Sequence, residues 1–270
     1  MIYVKKIDSH TAHGEKRTTF GRLLMCGLIF GMLLSAIPAV VAASEVVTFN
    51  DDGLEAAVRE ALDKSVGDIT AEDMAGLTEL DASDRGITDL SGLEYAVNLR
   101  KLNLLKNQIS DLSPLAGLTN LQDLHLGANQ ISDLKPLADL TKLEWLDLGF
   151  NQISNLEPLA GLTNLQDLHL GANQISDLKP LADLTKLEWL DLGANQISNL
   201  KPLAGLTNLQ TLVLMYNQIS NLKPLAGLTN LQTLVLMYNQ ISNLEPLAGL
   251  TNLSTSLNLP HLSFCLTLFY

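Results

Sequence analysis

Hydrophobic positions along most of the chain follow one pattern that returns every 22 residues. Its clearest copy, residues 121–142, reads LQDLHLGANQISDLKPLADLTK. Leu124 and Leu126 alternate with polar residues, which predicts a short strand with one buried face. Apolar residues then recur every three positions, at Ile131, Leu134, Leu137 and Leu140. This second spacing predicts a tight, 3-10-like segment, and stacked units are predicted to bury their leucines in one continuous core.

An asparagine and a proline recur with the same 22-residue period. The asparagines lie 22 residues apart, at Asn107, Asn129, Asn151, Asn173, Asn195, Asn217 and Asn239. The prolines do the same, at Pro114, Pro136, Pro158, Pro180, Pro202, Pro224 and Pro246. The asparagines are predicted to be buried at a turn and fully hydrogen-bonded. Seven full copies occupy residues 99–252, and a weaker copy begins at Leu77 with Arg85 at the asparagine position.

The pattern L-x-x-L-x-L-x-x-N-x-I, present in seven consecutive units, resembles the leucine-rich repeat. The resemblance implies an α/β solenoid. This would be a curved leucine-rich repeat horseshoe with a parallel β-sheet on the concave side and short 3-10 segments on the convex side. Residues 77–253 are therefore predicted to form the leucine-rich repeat domain.

The segment before the repeats shows helical spacing instead. Apolar residues follow a helical period at Leu54, Ala57, Val58, Ala61 and Leu62. Asn50 or Asp51 is predicted to cap this helix, Thr70 leads into a shorter helix, and residues 46–49 look strand-like. The sequences NDDGLEAAVREAL and DITAEDMAGLTELDAS resemble the N-terminal helical cap of bacterial internalin-type leucine-rich repeat proteins. Residues 44–76 are therefore predicted to be a cap that shields the first repeat from water.

The two ends of the chain depart from the repeat. Basic residues precede a long apolar run in residues 23–41, and Ala42 and Ala43 are small. Residues 1–43 are therefore predicted to be a cleaved signal peptide, with an uncleaved membrane anchor as the alternative. The protein would then be secreted or held at the cell envelope or surface. Residues 254–270 lack the asparagine and the Pro-Leu return, so they are predicted to be an atypical cap or the product of a truncated or frameshifted reading frame.

Charge restricts the class of partner. The chain carries a net charge of −12, and residues 1–43 hold five basic and two acidic side chains, which leaves −15 on the remainder. This charge disfavours nucleic acid and anionic membrane as partners and favours a basic protein surface, although acidity alone often serves only solubility. No stable membrane span is expected after signal cleavage.

The non-leucine positions of the strands are predicted to face the concave side, where they define the candidate site. Trp145 and Trp189 alternate there with Asp123 and Asp167, and core packing does not require tryptophan at these positions. Exposed tryptophans are typical anchors of protein interfaces. The alternative is that the tryptophans have no binding role and recur only because the sequence was duplicated, since residues 117–160 and 161–204 are nearly identical.

A second concave column reads His125, Asp147, His169, Asp191. The structural interpretation of this column is pairing of oppositely charged, solvated side chains on neighbouring strands. The functional alternatives are metal binding and acid/base chemistry. An open sheet surface excludes little water, and the sequence shows neither a nucleophile constellation nor a phosphate-binding loop. No enzymatic activity, catalytic residue, metal or cofactor is therefore expected.

Further along, the face is predicted to become a Thr/Val/Met/Tyr patch that includes Met215, Tyr216, Met237 and Tyr238. The internalin resemblance implies an exported, non-catalytic module that binds another protein through the concave face. Two alternatives stay open: a structural or vestigial truncated repeat protein without a specific partner, and a metal-binding protein that uses the His/Asp column.

Overall fold

The computed structural model describes residues 45–254, and these residues form a curved solenoid. The predicted signal segment and nearly all of the predicted C-terminal tail lie outside the described residues. Within this range, one open parallel sheet runs in chain order through eight strands: β1 Glu79–Asp81, β2 Lys101–Asn103, β3 Asp123–His125, β4 Trp145–Asp147, β5 Asp167–His169, β6 Trp189–Asp191, β7 Thr211–Val213 and β8 Thr233–Val235. The predicted fold class is therefore confirmed.

Short 3-10 helices form the convex side, as the three-residue spacing predicts. They cover Leu93–Tyr95, Ser113–Leu115, Lys135–Leu137, Glu157–Leu159, Lys179–Leu181, Lys201–Gly205, Lys223–Leu225 and Glu245–Leu247. In seven of these segments within the described chain, proline occupies the first turn, where its fixed φ suits a helix start. The leucines and isoleucines between sheet and convex side are almost fully buried, so the core runs along the whole repeat array.

The repeated asparagines connect neighbouring units. Asn151 donates from Nδ2 to the carbonyls of Leu126 (3.0 Å), Leu148 (3.1 Å) and Gly149 (3.2 Å). Its Oδ1 accepts from the amide of Ile131 in the preceding repeat at 2.9 Å. The predicted complete bonding is thus confirmed, and among the described residues no buried side-chain polar atom lacks a partner.

Helices cover the N-terminal end of the repeats. Helix α1 spans Asp52–Ala61 and helix α2 spans Ala71–Ala75. Asp51 caps α1 by accepting from the amides of Gly53 and Leu54, and its other oxygen accepts from the amide of Thr88 at 2.9 Å. Asp51 therefore ties the helix start to the first repeat. Of the strand-like residues 46–49, Val46 forms an isolated antiparallel bridge to Thr70, so the strand-like character is confirmed only at this one bridge.

Arg85 explains why the first repeat departs from the pattern. Its guanidinium contacts the carboxylate of Glu60 in α1 at 2.6 Å, so this position serves the junction with the cap. Asn107 of the next repeat accepts from the amides of Arg85 (3.1 Å) and Ile87 (3.0 Å). The missing asparagine is therefore replaced by a contact to α1. No helix within residues 45–254 has both the length and the apolar composition needed to cross a membrane.

Candidate functional site: the concave face

The three-residue strands present their outer positions on the concave face and bury their central leucine. The parallel register aligns the first positions of neighbouring strands and, separately, the third positions. Asp123 is paired with Trp145, and His125 is paired with Asp147. The same two pairs recur at Asp167 with Trp189 and at His169 with Asp191. Every predicted site residue of β3 to β6 therefore lies on the predicted face, and each is partly exposed.

Four rings of the two columns form one continuous series of ring contacts, two tilted and one stacked, which we call the aromatic ladder: His125, Trp145, His169 and Trp189. The ring centroids of His125 and Trp145 lie 3.9 Å apart, and those of Trp145 and His169 lie 5.0 Å apart. His169 and Trp189 stack at 3.7 Å with an interplanar angle of 23°. The ladder crosses strands β3 to β6 diagonally, so both tryptophans and both histidines belong to one feature.

The predicted cross-strand placement of His opposite Asp is present in the register, but these pairs do not form close ion pairs. Among the described residues, neither His125 nor His169 has a nitrogen within 4.0 Å of a carboxylate oxygen. A long indole reaches its diagonal neighbour on the adjacent strand, and stacking on it removes the imidazole from water. The histidines therefore use the tryptophans, and not the aspartates, as their close partners.

This burial sets the charge of the ladder. It lowers the pKa of His125 below 6.5, and the nearby carboxylates of Asp147 and Asp123 oppose that shift only in part. Burial likewise lowers the pKa of His169 below 6.5, against the opposing carboxylates of Asp147 and Asp191. Both imidazoles are consequently neutral at pH 7.

Two carboxylates stand beside the ladder in fixed positions. Asp147 Oδ1 accepts from the amide of Gly149 at 2.8 Å, and Asp191 Oδ1 accepts from Gly193 at 2.8 Å. A Cβ placed on Gly127 would come within 2.7 Å of Asp147 Oδ2. Glycine in the preceding strand's loop is therefore needed to leave room for this carboxylate. Burial raises the pKa of Asp191 above 3.8, although the Gly193 amide and His169 oppose the shift.

A shallow groove of about 290 Å³ lies where the strands end. Asp147, His169 and Asp191 line it together with Phe150. Phe150 is 72% exposed, and strand alternation does not predict it as a site residue. The sequence does mark this position, because residues 117–160 and 161–204 differ at only two positions and Phe150 is at one of them.

The predicted Met/Tyr patch forms a separate feature beyond the ladder. Tyr216 and Tyr238 stack at 4.2 Å between centroids, with an interplanar angle of 10°. Both tyrosines are about half exposed and have φ near +55°, and they follow the partly buried Met215 and Met237. The face thus presents an acidic, aromatic part on β3 to β6 and a less charged part on β7 and β8.

The chemistry of this surface suits contact better than catalysis. The ladder lies on an open sheet, where a reacting group would remain in water. Within residues 45–254, no group of three or more His, Cys, Asp or Glu side chains has an arrangement that could hold a metal ion. The two predicted tryptophan anchors thus lie in one ladder beside Asp147 and Asp191. The patch of Tyr216 and Tyr238 is separate from the ladder.

Family comparisons agree with the repeat structure. The family described as Leucine Rich repeats (2 copies) matches residues 97–139, 141–183 and 185–227, and the Leucine Rich repeat family matches residues 227–244. The protein is thus a leucine-rich repeat protein. No curated protein matches the chain at a significant level.

Solved structures define the family further. Internalin C2 from Listeria monocytogenes is 43% identical, with a TM-score of 0.76 over 78% of this chain and 94% of that one. Internalin InlF from the same organism is 39% identical, with a TM-score of 0.75 over 76% of this chain and 61% of that one. The chain belongs to the bacterial internalin-like leucine-rich repeat proteins.

A more distant similarity extends to a receptor. The leucine-rich repeat ectodomain of the Arabidopsis thaliana membrane receptor kinase GASSHO1/SCHENGEN3 is 27% identical to this chain. The TM-score is 0.57, over 62% of this chain and 22% of that one. That ectodomain was solved in complex with CASPARIAN STRIP INTEGRITY FACTOR 2.

Proposed function

We propose that the protein is an exported, non-catalytic module that binds another protein through the concave face of its repeat array. The observation that carries this proposal is the aromatic ladder. Trp145 and Trp189 stay partly exposed on the sheet surface while the leucines between them complete the core. Aromatic side chains of this kind supply much of the binding energy at protein interfaces when a partner covers them.

Two further observations support a binding role. The internalin-like family supplies the same solenoid, and the plant receptor ectodomain shows that a related repeat array takes part in a complex. The open concave face also lacks the enclosed surroundings in which preorganised dipoles accelerate reactions. We therefore assign no catalytic residue and no cofactor.

The test is a capture experiment with the full chain. Wild-type protein is immobilised and exposed to proteins from its native extracellular surroundings, and retained proteins are identified. The Trp145→Ala/Trp189→Ala double variant is expected to lose a specific partner that the wild type keeps. Lys201→Glu is the matched control, because the corresponding convex position of another repeat already carries Glu157.

Each other outcome has a defined meaning. Retention of the same partner by the folded double variant would move the binding site to the Tyr216/Tyr238 patch or to the convex side. A wild type that retains no specific partner would reject the binding proposal and favour the structural or vestigial alternative. Circular dichroism and urea denaturation of each variant establish that a loss of binding does not reflect unfolding.

Export is part of the proposal and has its own test. The basic residues, apolar run and small residues of positions 1–43 support a signal peptide that is removed after Ala43. Expression in a bacterium, followed by fractionation and N-terminal sequencing, is expected to give an exported protein that begins at Ser44. An exported protein that retains residues 1–43 would instead indicate an anchor, and a protein confined to the cytoplasm would contradict export.

A further inference from the structure

The ladder-bearing part of the concave face carries an excess of carboxylates. Strands β1 to β6 present these acidic side chains on the face: Glu79, Asp81, Asp123, Asp147, Asp167 and Asp191. Lys101 is the basic side chain of these strands, and it lies between Glu79 (3.9 Å) and Asp123 (3.7 Å). The exposed Lys106, in the turn after β2, lines the groove that also holds Asp147 and Asp191. Within the described chain, no lysine, arginine or histidine nitrogen lies within 4.0 Å of the Asp147 or Asp191 carboxylates. The face therefore complements a positively charged partner.

The Asp147 and Asp191 carboxylates are equivalent and preoriented. Each uses one oxygen to accept the amide of the glycine two residues later, at 2.8 Å, and the second oxygen accepts no hydrogen bond from a described residue. Both line the groove that also contains His169 and Phe150. A cationic side chain that enters the groove finds an oriented acceptor beside an aromatic ring, a combination that suits the planar guanidinium of arginine.

Sequence duplication places the two carboxylates at a fixed separation. Residues 117–160 and 161–204 differ only at positions 150/194 and 157/201, so the same concave chemistry recurs after 44 residues. Asp147 lies on β4 and Asp191 lies on β6, with β5 between them. Neighbouring strands are about 4.8 Å apart, which puts the two carboxylates about 10 Å from each other.

The indoles add a requirement for hydrogen-bond acceptors. In the described part of the molecule, neither Trp145 nor Trp189 donates its ring N–H to another residue, and no buried polar side-chain atom is left without a partner. The two N–H groups are therefore directed to solvent or to a bound molecule. A polyproline II segment has free backbone carbonyls, whereas an α-helix uses its carbonyls internally. The segment also rises about 3.1 Å per residue, so side chains three residues apart are about 9.3 Å apart.

We propose that the concave face binds an extended, basic polypeptide segment of its partner. Two arginines of that segment, three residues apart, reach Asp147 and Asp191, and the segment's carbonyls accept from the indoles of Trp145 and Trp189. This inference rests on the proposed protein-binding function and specifies the chemistry of the partner.

Synthetic peptides test the proposal directly. The probe is the acetylated and amidated hexapeptide Pro-Arg-Pro-Pro-Arg-Pro, which holds two arginines at the required spacing. The comparison peptides replace one arginine by alanine, or both arginines by glutamate. Trp145 and Trp189 are the two tryptophans of the chain, so intrinsic fluorescence of the full chain reports on the ladder, and calorimetry gives the dissociation constant.

The two-arginine peptide is expected to bind at least about tenfold more tightly than the one-arginine peptide, because the second contact forms within a complex. Asp147→Asn or Asp191→Asn is expected to reduce this affinity to the level of the one-arginine peptide. Asparagine preserves the local turn, since Asn103 occupies the same position in β2 and accepts from the Leu105 amide at 3.1 Å. The control Asp133→Asn/Asp177→Asn removes two negative charges from the convex side and is expected to leave the affinity unchanged.

Three results would overturn the proposal. They are no binding of the two-arginine peptide at millimolar concentration, equal binding of the glutamate peptide, and unchanged binding by the Asp147→Asn/Asp191→Asn double variant. The capture experiment separates this failure from failure of the protein-binding function. A partner that is lost from the tryptophan variant but kept by the double asparagine variant would leave the binding function intact and reject the basic segment.

Discussion

The imidazole of His169 lies 3.7 Å from the indole of Trp189, measured between ring centroids, although the two residues are not aligned in the sheet. In the strand register, His169 is paired with Asp191 and Trp189 is paired with Asp167. The contact is therefore diagonal, and it depends on the length of the indole and on its lean across the strands. It also links the protonation of the histidine to the surroundings of the tryptophan.

The first prediction concerns pH. Burial lowers the pKa values of His125 and His169 below 6.5, while the unfolded chain takes up these protons near 6.5. The stability contributed by the neutral ladder is therefore fully present above pH 6.5 and is lost as pH falls through the lower, folded pKa values. Urea denaturation at about pH 7.5 and about pH 5.5 is expected to show a smaller free energy of unfolding at the lower pH.

The His125→Gln/His169→Gln double variant is the control for this pH effect, because glutamine stays uncharged in both states. It is expected to lose less stability than the wild type between the two pH values. Burial raises the pKa of Asp167 and of Asp191, which gives the opposite dependence, but both proteins retain these carboxylates. An equal loss in the two proteins would show that the histidines are not the source.

The second prediction compares neighbours on one strand that face opposite sides. Leu190 is fully buried, and its replacement by alanine is expected to reduce the free energy of unfolding by about 2–5 kcal/mol. Trp189 is partly exposed and stacks on a single imidazole among the described residues, so Trp189→Ala is expected to cost only about 1–2 kcal/mol. Urea denaturation measures both values. A larger loss for the tryptophan would show that it serves packing more than binding.

The third prediction concerns the buried asparagine of a central repeat. Asn151→Ala removes the donor that three carbonyls share and the acceptor of the Ile131 amide. The carbonyls of Leu126, Leu148 and Gly149 keep other donors, so the Ile131 amide is the buried group left without a partner. The free energy of unfolding is therefore expected to fall by about 1–3 kcal/mol. Gln152→Ala is the neighbouring control, because Gln152 is exposed. A loss below about 1 kcal/mol in the asparagine variant would contradict this role.

The fourth prediction tests the space beneath the Asp147 carboxylate. A Cβ at residue 127 would approach Asp147 Oδ2 to 2.7 Å, so Gly127→Ala is expected to displace that carboxylate and weaken binding of the two-arginine peptide. A Cβ at Gly117 would meet no atom within 4 Å. Gly117→Ala is therefore expected to leave peptide binding unchanged and to alter stability by less than about 1 kcal/mol. Calorimetry and urea denaturation of both variants make the comparison, and equal peptide affinities would reject the steric argument.

Much of the fold could be predicted from the sequence because each repeat encodes it locally. The alternation at Leu124 and Leu126 determines which side of a strand is buried, and the asparagine marks the turn that follows. These features depend on residues within one 22-residue unit. The weaker first repeat was less predictable, since the role of Arg85 depends on Glu60 in a helix 25 residues away.

The candidate site was predicted only in part for the same reason. Alternation assigns Trp145 and His169 to the concave face, but it does not determine how their rings orient across neighbouring strands. Side-chain length and diagonal contact decide that arrangement, which favours stacking over the expected pairing of His169 with Asp191. Phe150 lies outside the alternating strand positions, at the turn position with φ near +55° that Tyr216 and Tyr238 also occupy. Its available signal was a large ring where Ala128, Ala172 and Ala194 stand in the neighbouring repeats.

The asparagine hydrogen bonds also determine the order in which the repeats can complete their buried turns during synthesis. Asn129 completes the bonding of Ile109 and Leu104 in the unit before its own, and Asn151 does the same for Ile131 and Leu126. Each unit therefore depends on a side chain that the ribosome adds 20 to 25 residues later. A nascent chain can consequently close its buried turns in order of synthesis, one unit behind the growing end.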